Sequence, residues 1–107
     1  TTPTVRNAET IEGLSVIAAI ATFGENQPVD EPYCDRTAAL SESLRDDFLE
    51  QPAGPVATAQ GMTLRLWMSE EMRTWTVTAT RRDGISCVLA SGTGSTGQAE
   101  FARLVEG

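Results

Sequence analysis

Cys34 and Cys87 are the two cysteines of the chain, and their pairing is the clearest chemistry that the sequence suggests. They flank one predicted helix and two strand-like runs, so a bond between them would tie the start of the fold to its last strand. Closing a loop of roughly 50 residues would stabilise the fold by about 4 kcal/mol through restriction of the unfolded chain. The alternative is a pair of buried free thiols. A disulfide indicates a periplasmic or secreted protein, and reduced thiols a cytoplasmic one.

Several catalytic side-chain types are missing from the sequence. It contains no histidine and no lysine, and all eight basic residues are arginine. The absence of imidazole excludes Ser-His and Cys-His nucleophile pairs and histidine-containing zinc sites. The absence of lysine excludes Schiff-base chemistry and the phosphate-binding lysine of a P-loop. We therefore expect no metal site and no cofactor.

Carboxylates are the main remaining groups that could carry out catalysis, for instance as a pair that hydrolyses glycosides. The candidates are scattered over a predicted helix and turns, with no sign of convergence: Asp35, Asp46, Glu70, Glu71 and Asp83. A carboxylate-based hydrolase is therefore a remote alternative, and we expect a protein that is not an enzyme.

The net charge of −7 is spread along the chain. A negative surface repels phosphate backbones and anionic lipids, so we expect neither nucleic acid nor a membrane surface as a partner. The longest apolar stretch, Leu14 to Phe23, has about half the length of a membrane span. Its upstream flank is acidic, unlike that of a signal peptide, so we expect any export signal to have been removed before Thr1.

That apolar stretch forms part of an N-terminal extension, residues 1–33. Between Thr10 and Thr22 the apolar residues recur at helical spacing, although the same residues would also suit a buried strand. Because a small core need not cover this segment, we consider it a candidate docking segment for a partner, with the side chains of Leu14, Ile17, Ile20 and Phe23.

A second helix is predicted from Asp35 to about Pro52, where a proline and Gly54 end it. Its apolar face repeats every four residues, through Leu40, Leu44 and Phe48. The opposite face carries an acidic ridge of Glu42, Asp46 and Glu50. This ridge suggests a second functional hypothesis, an acidic inhibitor, such as a phage-encoded one, that imitates the charge of nucleic acid.

Residues 53–62 are predicted to be a flexible connector, and a three-stranded antiparallel meander follows. Its strands alternate apolar and polar residues over Thr63–Met68, Thr74–Thr80 and Ile85–Leu89. A bulged turn with Gly84 in the left-handed conformation would pair Ala79 with Cys87 and Val77 with Leu89. This register collects the apolar residues on one face, with Cys87 directed towards the helix.

The opposite face of this sheet is polar and rich in threonine. It is either a solvated surface or a candidate binding face with an aromatic anchor, made of Arg65, Trp67, Thr74, Thr76 and Thr78. Further along, Gly92–Gly97 matches the pattern G-x-G-x-x-G. An antiparallel sheet and the lack of a return strand disfavour a phosphate site, so we expect a Gly-rich linker to a C-terminal helix over 98–105.

Several short motifs are together similar to those of small exported proteins of unknown function from alphaproteobacteria and some of their phages. The motifs are Cys34-x-Arg36, Ser69-Glu70, Thr74-Trp75-Thr76, Asp83-Gly84-Ile85-Ser86-Cys87 and Ala90-Ser91-Gly92. The resemblance covers roughly Tyr33 to Gly94 and implies export and a Cys34–Cys87 disulfide, but no catalytic residues. The longer N-terminal and C-terminal segments of this chain depart from the pattern.

The sequence thus predicts one α+β domain. It comprises an N-terminal extension (1–33), a disulfide-closed core (34–91) with a three-stranded antiparallel meander packed against a helix, and a C-terminal segment (92–107). The favoured function is a non-enzymatic protein-binding or assembly module of the cell envelope or of a virion. Its partner would be another protein, or the other subunits of a larger complex.

Overall fold

The computed structural model describes residues 14, 16–24, 27 and 32–106. The predicted helix start at Thr10 and the loop positions 25–26 and 28–31 lie outside the described residues. Three helical segments and six strands are found in the described part of the chain. In chain order they are α1 (residues 14 and 16–19), β1 (Cys34–Arg36), α2 (Thr37–Asp47), β2 (Gln51–Pro52), β3 (Ala57–Ala59), β4 (Met62–Ser69), β5 (Thr74–Thr80), β6 (Ile85–Thr93) and α3 (Gly97–Glu106).

All strands belong to one antiparallel sheet in the order β1-β6-β5-β4-β2, and β3 also pairs with β4. The α+β class and the meander, β4-β5-β6, are confirmed. The expectation of only three strands was wrong, because short strands extend the sheet on both sides of the meander. The predicted ambiguity over the N-terminal segment is resolved in favour of a helix at residues 14 and 16–19.

The predicted connector 53–62 contains strand β3, which forms a tight hairpin with β4. Ala59 pairs with Met62, so the loop consists of Gln60 and Gly61 alone. Both loop residues have positive φ angles, 53° and 78°. This is the requirement of a type I′ turn, whose twist matches that of the flanking strands. The segment is therefore ordered by backbone pairing and is not a free linker.

The turn between β5 and β6 has the predicted bulged geometry. The N–H of Arg81 donates to the carbonyl of Ile85 at 2.8 Å, and Gly84 has a φ of 86°. Ala79 pairs with Cys87 as expected. The predicted pairing of Val77 with Leu89 was wrong, because a second irregularity interrupts the ladder and places Ala90 opposite Val77.

Helices cover both faces of the sheet. On one face, Leu64 and Ala79 pack with Leu14, Ile17 and Ile20 of the N-terminal segment. On the same face, Phe101 and Leu104 of α3 cover a neighbouring cluster of Leu66, Trp75 and Val77. On the opposite face, Leu40 and Leu44 of α2 pack on Trp67. Full burial of each such side chain contributes about 1.5–3 kcal/mol, so the three helices hold the sheet from both sides.

The disulfide between Cys34 and Cys87 is present, as the sequence predicted. The two residues face each other on the neighbouring strands β1 and β6, with 4.0 Å between their Cα atoms. Both side chains are buried beside Leu14 and Ile17, on the face opposite α2. Cys87 is therefore not directed towards the second helix, and Cys34 lies in a strand that precedes that helix.

The C-terminal segment is more compact than a flexible linker. β6 extends to Thr93, and only three residues separate it from α3. Gly92 and Gly97 both lie against Trp75, where an added Cβ atom would come within 2.6 Å and 2.8 Å of its side chain. The outer two glycines of the G-x-G-x-x-G pattern thus make room for a tryptophan.

Candidate functional site

A half-open cleft lies between α2 and the outer part of β5 and β6. Its volume is about 340 Å³, which is within the range of small ligand sites. The lining is mainly apolar and comprises Tyr33, Leu40, Ser43, Leu44, Phe48, Glu50, Thr74, Trp75, Thr76, Val88, Ser91, Gly92 and Thr93. Glu50 is the only acidic residue among these described lining residues.

The end of α2 determines the position of Glu50. The helix ends at Asp47, and Leu49 adopts a left-handed conformation with a φ of 55°. The N–H of Glu50 then donates to the carbonyl of Leu44 at 2.9 Å. This tight reversal directs the Glu50 side chain under the helix, where the residue is only 1% exposed. A left-handed conformation is costly for leucine, and such strain is frequent at functional sites.

The carboxylate of Glu50 is only partly satisfied. The hydroxyl of Thr74 donates to its Oε2 at 2.7 Å. Its Oε1 is buried and has no hydrogen-bond partner among the described residues. A buried carboxylate is costly unless its oxygens are paired. One acceptor of a residue that lines the cleft is therefore left without a donor among the described residues.

Two aromatic side chains that line the same cleft remain accessible. Phe48 is 47% exposed and Tyr33 is 45% exposed, and both line the cleft. The Tyr33 hydroxyl donates to Asp35 at 3.2 Å. Burial and this interaction with Asp35 raise the pKa of Tyr33, so its hydroxyl stays neutral. The cleft thus combines a buried anionic group with exposed aromatic surface.

The apolar face of α2 is shorter than the sequence predicted. Phe48 lies beyond the helix end, exposed, and does not pack in the core with Leu40 and Leu44. Glu50 was predicted to belong to an exposed acidic ridge with Glu42 and Asp46. Those two residues are exposed, but Glu50 is buried on the inner side. The helix end at Asp47 leaves Phe48 outside α2, and the reversal at Leu49 turns Glu50 inwards.

The candidate binding face made of Arg65, Trp67, Thr74, Thr76 and Thr78 is not an open surface, because α2 covers it. Trp67, Thr76 and Thr78 are buried, and the indole N–H of Trp67 donates to the Thr78 hydroxyl at 3.2 Å. Arg65 and Thr74 are half-buried. Thr74 and Thr76 nevertheless line the cleft described above.

The candidate docking segment also has intramolecular contacts. Leu14, Ile17 and Ile20 are buried in the core, and Phe23 packs partly against it. The guanidinium of Arg81 holds the segment in place by donating to the carbonyls of Ile17 at 3.1 Å and Ile20 at 2.7 Å. These apolar side chains are therefore packed within or against the protein's own core.

Within the described ranges, no group of three or more acidic, cysteine or histidine residues is arranged to hold a metal ion. No helix in that part of the chain has both the length and the apolar character needed to cross a bilayer.

No protein-family model, curated protein or solved structure matches this chain. Sequence reasoning placed Glu50, the acidic residue of this cleft, on an exposed helical ridge, because its spacing from Glu42 and Asp46 is that of such a ridge.

Proposed function

We propose that the protein is a non-enzymatic binding module that accommodates a segment of another protein in the cleft between α2 and the sheet. The observation that carries this proposal is the partly unpaired, buried carboxylate of Glu50 in a cleft that the exposed rings of Phe48 and Tyr33 also line. Aromatic side chains are enriched in protein interfaces, where they contribute large contact areas. A polar group in an apolar cleft then provides orientation and specificity.

We further propose that the module acts in the cell envelope or in a virion. The buried Cys34–Cys87 disulfide supports an oxidising location, since such bonds persist mainly outside the cytoplasm. The similarity of its motifs to those of small exported proteins points in the same direction. The other two functional hypotheses receive less support. The acidic ridge retains Glu42 and Asp46 but not Glu50. The described lining of the cleft supplies one carboxylate, whereas a glycosidase uses two, and Glu70 and Glu71, which line a separate pocket, are both exposed.

Site-specific photo-crosslinking in the native host tests this proposal. A photoreactive benzoylphenylalanine replaces Phe48 in the cleft or, as a control, Val56, which has a similar exposure (44%) but is not among the cleft residues. We expect one discrete protein adduct from position 48 and none from position 56. Equal adducts from both positions, or none from position 48, would contradict the proposal.

A further inference from the structure

The unpaired Oε1 of Glu50 restricts the chemical type of group that can bind in the cleft. Oε2 is occupied by the Thr74 hydroxyl, whereas Oε1 is buried without a partner among the described residues. An occupant that satisfies Oε1 must supply an N–H or O–H group. A cationic donor is favoured over a neutral one, because it also compensates a buried negative charge.

The walls of the cleft narrow the choice of cation. Leu40, Leu44 and Val88 give an apolar surface that suits an aliphatic stem, and Phe48 and Tyr33 present aromatic surface. Arginine combines an apolar stem with a flat guanidinium group that stacks on aromatic rings and donates several hydrogen bonds. Lysine carries a strongly hydrated point charge and matches this surface less well.

Two of the chain's own arginines have other contacts. Arg45, the arginine of α2, lies over the ring of Trp67 at 5.6 Å from its centroid. Arg81 is bound to Asp83 and to backbone carbonyls of the N-terminal segment. The net charge of −7 would also attract a basic partner rather than an acidic one.

We propose that the cleft binds an arginine side chain from an exposed segment of the partner protein. The guanidinium group donates to Oε1 of Glu50, and the aliphatic stem packs against Leu40 and Leu44. This inference rests on the proposed function and narrows it to one chemical class of partner residue.

The test is a nuclear magnetic resonance titration of the intact protein with three blocked tripeptides, Gly-Arg-Gly, Gly-Lys-Gly and Gly-citrulline-Gly. Citrulline has the shape of arginine without its charge. We expect the arginine peptide to shift the signals of Thr74, Thr76 and Ser91, which line the cleft, and to bind at least about tenfold more tightly than the citrulline peptide. Equal binding of arginine and citrulline, tighter binding of lysine, or shifts confined to other surfaces would overturn the inference.

Two variants test the role of Glu50 directly. Glu50→Gln should abolish the preference for arginine over citrulline, whereas Glu42→Gln, on the exposed side of α2, should preserve it. If Glu50→Gln does not fold, Phe48→Ala provides a second test, because this exposed ring can be truncated with little effect on the core. We expect several-fold weaker binding of the arginine peptide by Phe48→Ala, and unchanged binding would contradict the proposal.

The outcomes also separate this inference from the proposed function. A discrete adduct from position 48 together with no preference for arginine would overturn the arginine proposal alone. The absence of any adduct from position 48 would overturn the binding function of the cleft.

Discussion

The Thr74 hydroxyl donates a hydrogen bond of 2.7 Å to Oε2 of Glu50, and this contact joins the turn after α2 to the first residue of β5. It is the only hydrogen bond that the carboxylate of Glu50 receives from the described residues. The pair therefore holds a carboxylate inside the protein with one of its two oxygens unpaired among the described residues.

Removing the donor of this pair should destabilise the protein. Thr74→Val leaves a buried carboxylate without any partner, and hydrogen bonds to charged groups contribute about 1.5–3 kcal/mol. We expect a loss of that size in the free energy of unfolding, measured by urea denaturation. Thr93→Val is a suitable control, because Thr93 pairs with Thr74 on the neighbouring strand and is exposed. The control should change stability by less than about 0.5 kcal/mol, and a similar loss in both variants would contradict this account.

The position of Glu50 could not be predicted from the helical pattern. Leu40, Leu44 and Phe48 repeat every four residues, and nothing in this spacing indicates that the helix ends at Asp47. The reversal depends on Leu49 in a left-handed conformation, which a leucine rarely adopts. A local pattern therefore identified α2 and its buried face but not the site formed just beyond its end.

Gly92 provides a second prediction, since its Cβ position is occupied by the ring of Trp75. Gly92→Ala would place a methyl group 2.6 Å from a ring carbon, so we expect a loss of about 1–3 kcal/mol in stability from overpacking. Ser91→Ala, at the neighbouring exposed position, should have little effect.

A double variant distinguishes the ring contact from a general effect on the strand. Trp75→Phe should partly offset Gly92→Ala, because a smaller ring leaves room for the methyl group. Strictly additive losses in the double-mutant cycle would show that the ring contact is not the cause.

The sheet was predicted correctly where apolar and polar residues alternate clearly, and incorrectly where the strands are short. β5 coincides with its predicted range, Thr74–Thr80. The hairpin of β3 was missed because Ala57–Ala59 is short and lacks large apolar residues, although Gln60-Gly61 between alternating runs is a turn signal. The sequence also contained a sign that the polar face of the sheet is covered. Consecutive apolar residues at Leu66 and Trp67 are typical of a strand that is buried on both faces.

The interaction of Asp83 with Arg81 predicts a dependence of stability on pH. The hydrogen bond from Arg81 lowers the pKa of Asp83 below its ordinary value of 3.8. The folded state therefore binds a proton at Asp83 less readily than the unfolded state does. The resulting contribution to stability is fully present above the ordinary pKa of 3.8. It is lost as the pH falls through the lower folded-state pKa.

We therefore expect Asp83→Asn to be less stable than the native protein near neutral pH and to approach it in acid. Thermal unfolding over a series of pH values measures this difference. Asp46→Asn, on the exposed face of α2, is the control and should show no such convergence. A difference for Asp83→Asn that stays constant down to strongly acidic pH would contradict the assignment.

The Cys34–Cys87 disulfide leads to predictions about the stability of the protein and its cellular location. Replacing Cys34 and Cys87 together by alanine should cost about 2–5 kcal/mol, as seen by denaturant titration, and reductant should destabilise the native protein only. For protein alkylated before lysis of its native host, we expect a mass about 2 Da below that of the reduced chain and no alkylation. Two alkylated cysteines would contradict an envelope or virion location.

Crosslinking from position 48 in the presence and absence of the Glu50 carboxylate is the most direct test of the central claim that this cleft is a binding site. The photoreactive residue at position 48 is combined with Glu50→Gln or, as a control, with Glu42→Gln. We expect the partner adduct to decrease at least about tenfold with Glu50→Gln, because a charge-assisted hydrogen bond is lost, and to persist with Glu42→Gln. The absence of an adduct from position 48 in the otherwise native protein would contradict the central claim, and an adduct of equal yield in both variants would contradict a role for Glu50 in binding.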